Sequence, residues 1–320
     1  MMTLRLMTPS DLPQVNQVLS LAFTYARREE GYKDYRVPPC RDAFLQMYLA
    51  QFLDGNYVIE DKHRVIGFVF SHMWGTVGWL GPLAVTPQRQ GEGLGRQLVE
   101  AAVEALKQAG AETIGLETMP RNYRNLRFYA RHHFHPTFLT VDMVRPIDRR
   151  HFEGLPPGYE VLQFSKLSHS QQANFSYLAD ALATQVDPHL MIANEVELAN
   201  FYQFGDGFLL MRHGRSVAFA VAHTEKYYHE EPRKYLKVYL AGLEPESPSA
   251  HLPAFFTMLE NWALQCHLSA LMLRMSTRHQ QIFHRLVQND FHPIHSDVRF
   301  VLNGYEEKAP SENFYINKWE

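Results

Sequence analysis

The clearest periodicity in the chain is helical. Leu94, Leu98, Ala101, Ala102, Ala105 and Leu106 recur on one face, and Gly110 supplies a stop. Around this helix the first half reads as an alternation of strands and helices. Leu4 to Met7 is an expected strand, and Ser10 or Asp11 caps a helix through about Tyr25. A second helix is expected over Arg41 to Leu53. Tyr57 to Ile59, a turn at His63-Arg64, and Ile66 to Val69 read as a hairpin. Strands at Gly78 to Val85 and Ile114 to Thr118 flank the long helix, then come a helix over Asn122 to His132 and a last strand over Phe138 to Val144. A strand–helix–strand unit at the centre implies that part of the sheet is parallel.

The pattern then repeats. Phe134-His135-Pro136 recurs as Phe291-His292-Pro293, an offset of 291 − 134 = 157. The hairpin recurs at Phe208 to Leu210 and Val217 to Ala220 around Gly214. Between the two copies, Arg145-Pro146-Ile147-Asp148 and Gly154-Leu155-Pro156-Pro157-Gly158 break regular structure. The expected organisation is a first domain over residues 1–148, a linker over 149–158, and a second domain over 159–320. The expected fold class is α+β, two tandem domains, each a mixed, partly parallel twisted sheet flanked by helices. A length of 320 residues suits two such units.

Composition narrows the function. The net charge is −3 and no Lys/Arg block stands out, which argues against nucleic acid and anionic membrane as partners. Cys40 and Cys266 are the only cysteines, too few for a disulfide framework, and a cytoplasmic setting is expected. Seventeen histidines include the cluster His132, His133 and His135, but metal-ligand spacing is missing, so no metal is expected.

The segment from Leu83 to Arg96 carries the most chemistry. A strand ends at Val85, the glycines Gly91, Gly93 and Gly95 alternate, and the long helix opens. Such a loop brings backbone N–H groups and the positive end of a helix dipole to an anion, which reads as a phosphate or pyrophosphate cradle. It lacks the Gly-Lys-Ser/Thr of a P-loop, and Arg96 breaks the G-x-G-x-x-G dinucleotide spacing.

Gln90-x-x-Gly93-x-Gly95 resembles the Q/R-x-x-G-x-G/A signature of the GNAT superfamily of N-acetyltransferases. The resemblance continues at Asn122-x-x-Asn125-x-x-Phe128-Tyr129-x-x-x-His133-Phe134, where Asn125 stands for the usual Ala and His133 for the usual Gly. It implies an acetyl-CoA-dependent N-acetyltransferase acting on a primary amine by direct attack in a ternary complex. By the same resemblance the strand end Leu83, Ala84 and Val85 pairs with the pantetheine arm. Gln90, Gly91, Glu92, Gly93, Leu94, Gly95 and Arg96 hold the CoA pyrophosphate. Glu92 departs from the family habit and suits a pyrophosphate only if it points to solvent.

The resemblance places Tyr129 as the general acid that protonates the departing thiolate; a core aromatic beside Phe128 is the other reading. Glu117 lies five residues before Asn122, as the catalytic Glu does in ribosomal-protein alanine acetyltransferases. It is either the base or a carboxylate at a strand end or in an ion pair. Asn122 is a CoA contact, a helix N-cap, or both. At the 157-residue offset the glycine loop falls on Pro248 to Pro253, Glu117 on Arg274, Asn122 on His279 and Tyr129 on Leu286. The second half is therefore expected to be a degenerate copy that packs against the first and closes part of the acceptor cleft or a homodimer interface. Mycothiol synthase has a similar tandem layout, but with its active half at the C-terminal end. The acceptor is a small-molecule or peptide amine. The alternatives are an acyl-CoA-binding sensor or scaffold without turnover, and transfer of a longer acyl group.

Overall fold

The computed structural model describes residues 2–148, 150–228 and 234–317. Arg149 of the expected linker, and Met1 and Glu320 at the outer ends of the two expected domains, lie outside them.

The first half contributes β1 (Met2–Leu6), α1 (Leu12–Glu29), α2 (Asp42–Gln51), β2 (Tyr57–Asp61), β3 (Arg64–Trp74) and β4 (Val77–Val85). It continues with α3 (Leu94–Gln108), β5 (Thr113–Thr118), α4 (Tyr123–Arg131) and β6 (Phe134–Pro146). The second half repeats the order: β7 (Tyr159–Gln163), α5 (His169–Val186), α6 (Ala193–Phe201), β8 (Gly205–Arg212), β9 (Arg215–His223) and β10 (Tyr235–Leu243). Then follow α7 (Pro248–Gln265), β11 (Ala270–Ser276), α8 (Gln280–Gln288), β12 (His292–Leu302) and a short extra strand, β13 (Tyr315–Asn317). The fold is α+β with a mixed sheet, as the alternation of elements implied. The backbone carries the repeat as well. His133 and Asp290, 157 residues apart, both take positive φ, 64° and 62°. So do Gly110 and His267, at 85° and 56°.

The halves share one sheet, in the order β1-β2-β3-β4-β5-β12-β6-β11-β10-β9-β8-β7. Each half gives its last long strand to the junction. β12 pairs with β5 of the first half and with β6, while β6 pairs with β11 of the second half. The expected last strand, Phe138 to Val144, thus runs longer, from Phe134 to Pro146, and lies one strand away from β5. The pattern is compatible with this because β6 and β12 descend from the same repeated motif and offer similar partners to either neighbour.

The register at the junction pairs charges. Glu117 lies opposite Arg299, and Arg274 opposite Asp142. Glu117 and Arg274 are repeat-related, as are Asp142 and Arg299, so each ion pair is the other with its charges exchanged. α3 presents Leu94, Leu98, Val99, Ala102 and Leu106 to one face of the sheet, in a core that includes Phe300 and Leu302 of β12. α1 and α2 cover the other face with Phe68 and Phe70, and there Phe204 and Tyr227 of the second half join them. Burying one such Leu contributes roughly 2 kcal/mol, so the amphipathic face of α3 is what fixes its position.

Candidate active site

The site begins where two parallel strands part. β4 and β5 are paired from Val77↔Thr113 to Leu80↔Leu116 and no further. Beyond that, β4 stays on β3 through Val85, while β5 stays on β12 through Thr118. Gly81 marks the divergence, and its carbonyl accepts a 2.9 Å hydrogen bond from Nε2 of buried His72. Burial lowers the His72 pKa to about 4, so the ring is neutral and Nε2 carries the donated proton. The parted edges leave a cavity of about 1040 Å³ along β4, α3 and α4.

The glycine loop forms one end of that cavity. Gly91 and Gly93 have φ of +90° and +80°, a region that side chains with a Cβ rarely adopt. A Cβ added to either would meet nothing within 4 Å, so the loop keeps its backbone bare over the open groove. Gly95 has another purpose: a Cβ there would come within 3.3 Å of Cζ of Phe128, so the start of α3 can lie close against α4. The Glu92 carboxylate turns away to take two bonds from Nε of Arg89, at 2.8 and 2.9 Å. Arg96 pairs with Glu100 at 2.8 Å. Gln90 donates to the Val85 carbonyl at 3.1 Å and accepts from Arg124 at 3.3 Å, tying loop, strand and α4 together. Leu83, Ala84, Val85, Gln90, Gly91, Gly93, Leu94, Gly95, Arg96, Asn122 and Tyr129 all line this one cavity, and Glu92 does not.

Asn122 is a helix N-cap: its Oδ1 accepts from the backbone N–H of Asn125 at 3.1 Å. Tyr129 is buried on α4, its ring edge-on to Phe128 and Phe134 and tilted against Phe300 of β12. Burial pushes its pKa up to about 12. Glu117 is partly buried, with its side chain largely covered and engaged. Its Oε1 accepts from Arg299 Nη2 at 2.7 Å and Nε at 3.2 Å, and from Thr140 Oγ1 at 2.9 Å. Arg299 is fully buried over the Trp79 ring and also holds Glu307 at 2.7 Å.

A second chamber, of about 360 Å³, lies on the other side of Tyr129. It shares Phe23, Leu83, Met119, Asn125 and Tyr129 with the long groove. Its floor is the junction of the two half-sheets, with Glu117, Asp142, Arg274, Lys237 and Asp297. Sequence reasoning misses Arg299, Asp142, Lys237 and Asp297; for Arg299 and Asp142 the reversed charges at the 157-residue offset are the available signal, whereas Lys237 and Asp297 fall on the uncharged Leu80 and Thr140. Of the clustered histidines, His132 and His133 line the long groove, with His132 packed on Phe128, while His135 bonds Asn303. Cys40 is buried at the chamber wall, its backbone N–H held by Asn16. No group of three or more potential metal ligands occurs among the described residues.

Comparison with known proteins now bears on this geometry. The model of the acetyltransferase (GNAT) family matches residues 14–134, from α1 to the start of β6. An uncharacterized N-acetyltransferase of Archaeoglobus fulgidus is 31% identical over 115 residues, 33% of this chain and 78% of the relative. The chain belongs to the GNAT acetyltransferase family. N-alpha-acetyltransferase 30 of Schizosaccharomyces pombe is 30% identical over 89 residues, which span 26% of this chain but only 59% of that relative.

Beyond the first half, likeness is one of fold. A GCN5-related N-acetyltransferase from Sphaerobacter thermophilus superposes with a TM-score of 0.61 at 13% identity, covering 97% of this chain and 98% of its own. A tandem GNAT protein from the clavulanic acid biosynthesis pathway gives 0.59 at 15% identity, covering 98% of this chain and all of its own. In GNAT terms the two halves differ at the splay. In the second half β10 and β11 pair from Tyr235 to Val238 and then part, as β4 and β5 do. There, however, β13 lies antiparallel on β10 at Leu240 to Gly242, filling the edge that is open on β4. Where the first half has its glycine loop, the second half has α7, which starts at Pro248 and contains Pro253. Prolines bring no N–H to an anion.

Proposed function

We propose that the first half transfers an acetyl group from acetyl-CoA to a primary amine within a ternary complex. The observation that carries this is the buried Tyr129 standing between two cavities, one long and beside the glycine loop, the other small and charged. In this reading the loop backbone of Gly91 to Arg96 receives the pyrophosphate, and the Leu83–Val85 edge takes the pantetheine arm as an added strand. Asn122 lies beside that path. The turned-away Glu92 removes the one unfavourable charge from the cradle.

The amine enters from the chamber. Its nitrogen attacks the thioester carbonyl, the C–N bond forms, and the C–S bond breaks. Tyr129 gives its proton to the departing sulfur, and the ammonium product of attack loses a proton to the chamber side. Burial raises thiol and phenol pKa together, so the upward shift of Tyr129 does not of itself oppose that transfer. It keeps the phenol protonated at any working pH. Oε1 of Glu117 is already taken up by Arg299 and Thr140. Glu117 therefore draws the ammonium electrostatically and passes its proton on through water, with Arg299 fixing Oε1 in place.

The test is thiol release from acetyl-CoA with a panel of amines, with the acetylated amine identified by mass. Amine-dependent release is expected. Tight acetyl-CoA binding with no release for any amine would favour a sensor or scaffold. Equal or faster release from longer acyl-CoAs would reassign the acyl group.

A further inference from the structure

We propose that His72 is a positioning residue for acyl transfer: it holds the backbone of β4 at the point where that strand turns away from β5. This rests on the reading above, in which the Leu83–Val85 edge receives the pantetheine arm.

An antiparallel ladder pairs residue with residue, and an extra residue on one strand bends that strand and sharpens its twist. The register of β4 on β3 runs from Ser71↔Leu80 to Val69↔Leu83. Gly81 and Pro82 thus stand against Phe70 alone, and β4 carries a bulge. Pairing with β5 ends at Leu80, one residue before it. The bulge therefore separates the two strands and bares the edge that follows. Gly81 suits it with φ of +139°, where a side chain is strained. Pro82 has no N–H to give to either neighbour.

A backbone group that the ladder does not hold costs free energy when buried, unless a side chain or water meets it. The Gly81 carbonyl is met by Nε2 of His72, at 2.9 Å. That ring is fixed on two sides. It stacks on Trp74, with centroids 5.4 Å apart and planes 13° apart, and meets Tyr48 edge to face at 4.7 Å. Trp74 is held in turn from the second half, where Oε2 of Glu195 on α6 accepts from its Nε1 at 2.8 Å. Without the His72 donor, the splayed backbone loses a partner that an unsplayed one does not need.

The second half supplies an internal control. The hairpin repeats at an offset of 217 − 66 = 151, and 223 − 72 = 151 makes His223 the counterpart of His72. β10 has its own bulge, at Tyr239, between Val238↔Ala222 and Leu240↔Val221. His223 is buried too, yet it leaves that bulge alone. Its Nδ1 bonds the Tyr227 hydroxyl at 3.1 Å, and its Nε2 has no hydrogen-bond partner among the described residues. There β13 already occupies the edge of β10 at Leu240 to Gly242. The clamp thus goes with the open edge, and not with the bulge alone.

The experiment titrates acetyl-CoA into the full chain by calorimetry, for the wild type, His72→Phe, His72→Gln and His223→Phe, with folding checked by thermal denaturation. His72→Phe keeps a ring and removes the donor, while His72→Gln returns an N–H at similar reach. The expected result is that His72→Phe weakens acetyl-CoA binding about tenfold, the scale of one unmet buried carbonyl. His72→Gln should recover most of that loss, and His223→Phe should match the wild type. Unchanged affinity in His72→Phe would overturn the proposal. Equal weakening in His72→Gln or in His223→Phe would overturn it as well, by tracing the effect to general loosening. If His72→Phe does not fold, His72→Gln is set against the shorter His72→Asn. Tighter binding by the Gln variant supports the clamp, and equal binding by the two overturns it. Absence of acetyl-CoA binding in the wild type would instead overturn the reading of the groove on which the proposal rests.

Discussion

At the residue scale the account turns on two groups of the first half that touch the second. Tyr129 of α4 rests against Phe300 of β12, and Glu117 of β5 is held by Arg299 of the same strand. If Tyr129 is the proton donor, Tyr129→Phe should lower kcat by about 10²-fold or more, with acetyl-CoA affinity nearly unchanged. An unaltered kcat would move that role elsewhere. The pKa near 12 adds a signed expectation. The donor form is fully present below that value and is lost only as pH rises through it. The rate should thus climb with pH as the amine deprotonates and show no fall from Tyr129 near pH 10. A falling limb near pH 10 that vanishes in Tyr129→Phe would keep Tyr129 as the donor and contradict its raised pKa. Arg299 offers a stability test. Removing the cation leaves Glu117 and Glu307 as buried carboxylates without it, so Arg299→Met should cost about 3–5 kcal/mol in denaturant unfolding. A change under about 1 kcal/mol would show that the pairs are dispensable.

At the element scale, what the sequence told was local, and what it concealed was not. The long helix α3, the glycine loop before it and the N-cap at Asn122 follow from residues a few positions apart, so periodicity and capping revealed them. The positive φ at His133 explains why its family counterpart is usually Gly, a constraint visible in the motif itself. The exchange of β6 and β12 could not be read the same way. Both strands follow the same Phe-His-Pro motif, and either could pair with β5 or with β11. The choice is made by long-range pairs such as Glu117–Arg299, whose members are 182 residues apart. The plug formed by β13 was hidden for the same reason: three residues near the end of the chain show no partner until β10 is in view.

For the whole molecule, the shared sheet makes the halves interdependent. The first half without β12 would expose one edge of β5 and leave Glu117 without Arg299. Residues 1–150 expressed alone should therefore fail to unfold cooperatively or should aggregate, while the full chain gives a single transition; a stable, active fragment would contradict this. The second half, in this account, supplies scaffold and chamber but no second acyl-CoA site, because α7 replaces the glycine loop and β13 fills the splay. The most direct test is a calorimetric titration of the full chain with acetyl-CoA, repeated with Gly93→Val, which forces a branched side chain into the left-handed region at the loop. The account predicts one site per chain, abolished by the substitution in a chain that stays folded. Two sites per chain, or one site that survives Gly93→Val unchanged, would contradict it.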